Sequence, residues 1–323
     1  MGRKEVSFTA AEIFPIKMFL VPELAEQIRN GYIPPVHPSI SPTNRCNKNC
    51  PFCSYSEREK QLEMPFEEVC ELINVMKDLG MKAVDITGGG ESLMHKDIED
   101  IIEYIRAEGI KMGLTTNGML LPRIESQIRD FVWIRISMSS YDDPTALFNT
   151  LGDLVEDNSD VDWNISWVIT RNPDYERFAD AVRIANYYRM THFRAVNDLL
   201  DLDYLPPIES FKKYLADVQV NDELLIYQDR LAYTHGHRKC LISLLRPNID
   251  ARGDVYPCCG TQYATDVPYK NFAPTFNMGR DYESIWGKQR YFDGSFCTKC
   301  YYGRYNEVLN TLQSKEVRHI EFV

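Results

Sequence analysis

The segment NRCNKNCPFCS, residues 44–54, sets Cys46, Cys50 and Cys53 within eight positions. Thiolates are soft ligands suited to iron–sulfur clusters or zinc, and a site closed by protein alone usually takes four of them. Three leave one coordination position open. In a four-iron cluster, the open iron can chelate a small molecule and pass it an electron. The same three thiols would also serve a zinc knuckle that borrows a distant fourth Cys or His. A second cluster of suggestive residues is TGGGESLMH, residues 87–95. Consecutive glycines at the C-terminal edge of a strand let a ligand approach the backbone, and Glu91 beside them supplies an acceptor for an ammonium group. A third group lies in the tail: Cys240, twelve residues, Gly253, four residues, Cys258, and later CTKC with Cys297 and Cys300. A hairpin there would bring two thiolates together, and the CxxC turn would deliver two more. Four thiolates close a site, and structural zinc is the alternative occupant.

Composition limits what these residues serve. The 323-residue chain is 44% hydrophobic and can bury a full core, with a formal net charge of −11 that gives no footprint for nucleic acid or an anionic membrane. No apolar run approaches the ~20 residues of a membrane span, and the opening MGRKEVSFTA lacks the stretch of a secretory signal. The expectation is a cytoplasmic protein, where nine cysteines stay reduced and serve metals or catalysis.

The elements that must position the thiols alternate in type. Residues 1–37 form an N-terminal cap broken by Pro15 and Pro22, and IPPVHPSI enters a first strand. Helical spacing in MPFEEVCELINVMKDLG, HKDIEDIIEYIRAEG, LPRIESQIRD, PTALFNTLGDLVED and DYERFADAVRIANYYRM separates the strands KAVDIT, IKMGLTT, FVWIRISMS, VDWNISWVIT and THFRAVND. Six strands alternating with helices predict an α/β fold with a parallel sheet curled into a barrel or part of one, over residues 38–200. A connecting segment, 201–239, carries one helix around Phe211 to Asp217 and a stretch too irregular to assign. Residues 240–323 then read as a hairpin turning at Gly253, the cysteine pair and a last helix, RYNEVLNTLQSKEV.

Cys46, Cys50 and Cys53, with Phe52 between the last two, followed by Gly88-Gly89-Gly90-Glu91, resemble the radical S-adenosylmethionine (radical SAM) superfamily. The resemblance implies a partial (β/α)6 barrel with a 4Fe-4S cluster at its open mouth. It further implies that SAM is reductively cleaved to methionine and a 5′-deoxyadenosyl radical, which abstracts hydrogen from substrate. By position, Gly88, Gly89, Gly90 and Glu91 would hold the methionine end, Phe52 would pack near the adenine, and Asn117 and Ser137 would meet the ribose and carboxylate. An electron donor such as flavodoxin or ferredoxin is implied as partner.

The tail resembles the SPASM and Twitch extensions of that superfamily. It matches the Cys–Gly–Cys spacing and the CxxC, but Arg304, Tyr305 and Asn306 stand where further cysteines would follow. This implies one auxiliary 4Fe-4S cluster on Cys240, Cys258, Cys297 and Cys300, in a small Twitch-type domain of hairpin plus helix, similar to dehydrogenases of sugars and aminocyclitols. Cys259 is read as a substitute ligand, a hydrogen donor or a packed thiol. Arg171 and Arg194, at the ends of the fifth and sixth strands, would bind a substrate anion or the SAM carboxylate, or else pair with loop acids. Cys70 reads as a core residue. The expected activity is oxidation or dehydration of a small polar molecule. Radical modification of a peptide or protein is the alternative, disfavoured by the short segment ahead of the first strand. A non-catalytic metal scaffold is the third reading, and it would leave the glycine turn without purpose.

Overall fold

The structure is a computed structural model that describes residues 14–201, 204, 206–216, 224–228, 235–259, 276–295, 297 and 300–314. Its strands are β1 (Ser39–Ile40), β2 (Ala83–Ile86), β3 (Lys111–Thr116), β4 (Phe131–Ser137), β5 (Asp162–Ile169), β6 (His192–Asn197), β7 (Leu225–Gln228), β8 (Asn248–Ile249) and β9 (Val255–Tyr256). The helices are α1 (Phe14–Leu20), α2 (Pro22–Arg29), α3 (Phe66–Asp78), α4 (Ile98–Ala107), α5 (Pro144–Asp157), α6 (Tyr175–Tyr187), α7 (Glu209–Lys212), α8 (Ile242–Leu245), α9 (Tyr282–Gly287) and α10 (Gly303–Gln313).

The crossover helices form because apolar residues fall at helical spacing, and acids cap the starts of two of them. In α3, Val69, Leu72, Ile73 and Met76 are buried along one face. Asp143 accepts from the amides of Thr145 and Ala146 to begin α5, and Asp174 accepts from Arg177 to begin α6. Residues 121–130, expected as an α-helix, are instead 3₁₀ turns broken at Ile124. Arg123 draws this segment down by donating to the carbonyls of Leu93, His95 and Lys96 while pairing with Glu99.

These crossovers produce one sheet in the order β7-β6-β5-β4-β3-β2-β1-β8-β9, parallel throughout except for the antiparallel pair β8–β9. The parallel set thus exceeds the six strands expected. β7 comes from the stretch that the sequence left unassigned, and β8 of the tail hairpin pairs with β1. Alternation then sorts the strand side chains. Val84, Ile86, Met112, Leu114, Ile134, Ile136, Ile165 and Phe193 are buried under the helices. The opposite row turns inward: Asp85, Gly113, Thr115, Trp133, Arg135, Ser137, Asn164, Ser166 and Arg194. The N-terminal helices pack on the C-terminal one, where the Phe14 and Tyr305 ring centroids are 4.5 Å apart. Among the described residues, no helix is long and apolar enough to cross a membrane.

Candidate functional site

The first cysteine loop leaves the end of β1 and is tied down before its thiols begin. Asn44 N donates to Leu62 O at 2.8 Å, and Met64 N donates to Pro42 O at 2.9 Å. Arg58, which is 8% exposed, donates from Nε to Asn44 O and from Nη1 to Tyr55 O, both at 2.7 Å. The same Nη1 lies 3.9 Å from Cys53 Sγ. The Lys48 amide reaches Cys46 Sγ at 3.4 Å. Burial pushes the Cys50 thiol up, and Cys53 and Cys46 add to the shift, so the three sulfurs lie within electrostatic reach of one another.

The glycine turn at the end of β2 answers first to this loop. Gly90 N donates to Thr43 O at 3.0 Å and Glu91 N to Arg45 O at 2.7 Å. A Cβ on Gly90 would sit 2.0 Å from Arg45 O, and one on Gly89 would sit 2.5 Å from Asn44 Oδ1. Backbone approaching backbone therefore requires these glycines, whereas the sequence reading gave that approach to a ligand; Gly88 turns the chain with φ 81°. Glu91 has a second place besides the expected one. It is 3% exposed, and Oε1 accepts from Thr116 Oγ1 at 2.7 Å while Oε2 accepts from Asn117 N at 2.6 Å. Burial raises its pKa, and these hydrogen bonds oppose the rise. Glu91 thus staples the end of β2 to the end of β3, with its oxygens engaged by the protein.

Asn117 continues the staple back to the cysteines, its Nδ2 donating to Asn47 Oδ1 at 2.6 Å. The Tyr141 hydroxyl donates to Asn117 O at 2.6 Å, and Lys48 Nζ stands 3.8 Å from the centre of the Tyr141 ring. At the end of β4, Ser137 Oγ is 3.2 Å from Ser166 Oγ of β5. Phe52 and Cys50 line a cavity of about 240 Å³ with Ser139, Trp167 and Arg177. Half-buried thiols in mutual reach beside a cavity are a donor set that fits a cluster with one open iron.

Of the tail thiols Cys240 sits deepest, while Cys258, Cys297 and Cys300 are half-buried like those of the first loop. Cys240 is 9% exposed, its amide donates to Phe292 O at 3.0 Å, and Asn306 Nδ2 of α10 lies 3.7 Å from its Sγ. Burial, then Cys300 and Cys297, push the Cys240 thiol up to about 12; burial and Cys300 do the same to Cys297. The structure therefore brings Cys240, Cys297 and Cys300 together. Cys258 and Cys259 both act electrostatically on buried Tyr302, and Cys259 Sγ is 4.0 Å from its hydroxyl. Cys259 is exposed, and its carbonyl accepts from Tyr55 of the first loop at 3.3 Å. Among the described residues, no three His, Cys, Asp or Glu side chains converge tightly enough for a single metal ion; a four-iron cluster spreads its thiolates more widely.

Three further expectations are corrected, the first being Arg194, which is the third residue of β6 and not at its end. Arg171 does not reach the barrel mouth: its fork grips Asp201 at 2.6 and 2.7 Å, with the side chain 65% exposed. A bidentate carboxylate partner in the neighbouring loop takes the donors an anion would need. Cys70 is only half-buried on α3 rather than in the core. Sequence reasoning missed Arg58, Asp85, Arg135 and Arg246, while Tyr302 stands out in the sequence with Tyr301 and Tyr305 as an aromatic group beside the tail cysteines. The signal for Asp85 and Arg135 was present, since each alternates with buried apolar residues in a strand.

Residues 40–197 match the profile of the Radical SAM superfamily. GTP 3′,8-cyclase of Aquifex aeolicus (strain VF5) is 39% identical over 108 residues, which cover 31% of this chain and 33% of the cyclase. The enzyme of the same name from Staphylococcus aureus (strain Mu3) is 33% identical over 127 residues, 36% of this chain and 37% of its own. The chain spans about a third of the length of these curated relatives. Streptococcus suis SuiB bound to precursor peptide SuiA superposes with a TM-score of 0.61 at 16% identity, over 98% of this chain and 81% of that one. Native anSMEcpe with bound AdoMet and Kp18Cys peptide gives 0.56 at 17%, over 84% and 88%. At such identities the likeness is one of fold.

Proposed function

With residues 40–197 carrying a radical SAM superfamily domain, we propose that the protein is a radical SAM enzyme that oxidises a small polar molecule held inside the barrel. In this reading Cys46, Cys50 and Cys53 hold the SAM-binding 4Fe-4S cluster, and Cys240, Cys258, Cys297 and Cys300 hold an auxiliary one. When bound, these groups supply an electron to SAM, a 5′-deoxyadenosyl radical that takes a hydrogen atom from substrate, and an acceptor for the second electron. The chain's own residues do the rest. Arg58, Gly90 and Glu91 fix the loop that presents the three thiols. Asn117, tied to Asn47, and Ser137, beside Ser166, border the mouth where SAM would lie.

The observation that carries the substrate class is the inward row of the sheet. Asp85, Thr115, Arg135, Asn164, Ser166 and Arg194 form a polar lining that suits a sugar, cyclitol or similarly hydroxylated molecule. Asp85 also places a carboxylate there, raised in pKa chiefly by burial, to receive the proton that oxidation releases. The stretch shared with the GTP 3′,8-cyclases is only a third of either chain, so the substrate reading does not rest on it. The test is anaerobic turnover with SAM and a reductant against a panel of sugars, cyclitols, purine nucleotides and peptides. A product two mass units lighter than a hydroxylated substrate, with one 5′-deoxyadenosine per turnover, is expected. Turnover of peptides alone would overturn the substrate class.

A further inference from the structure

Arg135 lies in the inward row of β4, two residues before Ser137, and its Nε is buried without a hydrogen-bond partner. Leaving a buried guanidinium donor unpaired costs free energy that folding must offset elsewhere. Its surroundings sharpen the problem. Arg194 and Arg246 are close enough to repel it, and Asp85 is the carboxylate that attracts it. Asp85 is itself shared, since Arg246 Nη2 stands 3.6 Å from its Oδ2 while Oδ1 has no hydrogen-bond partner. Arg246 also reaches the Tyr302 hydroxyl at 3.4 Å. Three guanidiniums thus face one carboxylate.

The arrangement is held rigidly. The Arg135 guanidinium stands 4.9 Å from the centre of the Trp133 ring. That ring fills the space beside Gly113, where a Cβ would come within 2.2 Å of it. Stacking of this kind fixes the plane of a guanidinium and aims its fork.

We infer that Arg135 and Arg246, with Arg194 beside them, form an oxyanion-binding site inside the barrel that receives a phosphate or carboxylate group of the substrate. The inference deepens the proposed function and rests on it, because it makes the small polar molecule an anionic one. Burial and Arg194 draw the Arg135 pKa down to about 9, and a bound oxyanion would reverse that by supplying the missing counter-charge. Guanidiniums gathered about one carboxylate supply the planar donor forks that a phosphate or carboxylate group takes. Asp85, at the edge of the same cluster, would meet the part of the substrate next to the anion.

The test titrates reconstituted holoenzyme, saturated with SAM, with inorganic pyrophosphate and with malonate by calorimetry under anaerobic conditions. Iron content and 5′-deoxyadenosine formation are measured on the same samples. Binding of either probe is expected, with pyrophosphate tighter for a phosphate ester and malonate tighter for a carboxylate. Arg135→Gln should weaken that binding about tenfold or more, Arg135→Lys by less, and Arg106→Gln on the outer face not at all. Should Arg135→Gln lose its iron, the unmutated protein still decides: no binding of either probe, in protein that forms 5′-deoxyadenosine, overturns the site and leaves the proposed function standing. Binding that appears only when SAM is withheld also overturns it, since the arginines would then serve the SAM carboxylate. Binding in protein that carries iron yet forms no 5′-deoxyadenosine supports the site and overturns the radical reading.

Discussion

The two thiol regions hang from neighbouring strands and are built in opposite ways. The first loop follows β1, keeps Cys46, Cys50 and Cys53 half-buried, and spends its hydrogen bonds on backbone: Thr43, Asn44 and Arg45 are each bonded to fixed partners. The second surrounds one sulfur instead. Cys240 is buried with Asn306 reaching toward it, Cys258, Cys297 and Cys300 are half-buried, and Cys259 is exposed beside the Tyr302 hydroxyl. A loop stiffened along its backbone leaves sulfur accessible to a small ligand, whereas Cys240 is shut away from one. The contrast rests on Cys240, the one of the seven proposed ligand thiols that is buried, and under the proposed function it would set a first region open to a small ligand against a second that passes electrons or staples the tail.

The most severe way to break this comparison is to remove sulfur from each side. Replacing any one of Cys46, Cys50 or Cys53 by Ala should abolish 5′-deoxyadenosine formation, while Cys297→Ala with Cys300→Ala should leave it measurable and stop product formation. Iron analysis should fall from about eight per chain to about four in either case. Zinc in stoichiometric amount, or four irons in the unmutated protein, would refute the two-cluster assignment.

Glu91 tests the stiffness of the first region. Glu91→Gln turns an amide donor toward the Thr116 hydroxyl or the Asn117 amide, each of which needs an acceptor. A loss of about 2 kcal/mol in stability is expected from one buried unmatched pair, with weaker SAM binding, read from denaturant melts and SAM titration. An unchanged melt would show that the staple is dispensable. Arg58 tests the sulfur environment. Its donor at Cys53 favours the more negative, reduced cluster, so Arg58→Gln should lower the reduction potential by tens of millivolts, as followed by an EPR redox titration.

A milder comparison is between acid and neutral pH. Burial foremost, then Arg246, Lys17 and Arg135, draw the His37 pKa down to about 3. The unfolded chain binds this proton below pH ~6.5 and the folded chain does not, so stability is full above that pH and drains away as pH falls toward 3. The contribution at pH 5 is about 2 kcal/mol, and His37→Gln should flatten the acid limb by that much. The smallest effect is expected at exposed Cys259. Cys259→Ala should preserve iron content and product mass, and turnover in deuterated water should add no deuterium to product. Deuterium that vanishes in the variant would assign Cys259 as a hydrogen donor.

The sequence made the first region findable because it is local: CxxxCxxC and GGGE stand out at short spacing, although the glycines answer to the backbone of the cysteine loop. The tail was readable for the same reason in its CxxC and its hairpin around Gly253. What it hid depends on closure of the sheet. Arg135 in FVWIRIS and Asp85 in AVDI alternate with buried residues, and a strand alone does not tell whether its polar face meets water or a barrel interior. Arg171 looked inward because it follows β5, yet its direction is set by Asp201, thirty residues on. The bonds of Glu91 to Thr116 and Asn117 were hidden because those partners lie at the end of the next strand.

The pairing of β8 with β1 joins Ser39 to Asn248 and Ile40 to Ile249. During synthesis, one edge of β1 therefore waits for roughly two hundred residues of chain before its neighbour exists, a long-range contact of the kind that forms late. The first thiols leave the ribosome far ahead of Cys258, Cys297 and Cys300. Under the proposed function, the three ligands of the first cluster are synthesised before any ligand of the second, while the β8 edge that completes β1 is still unmade.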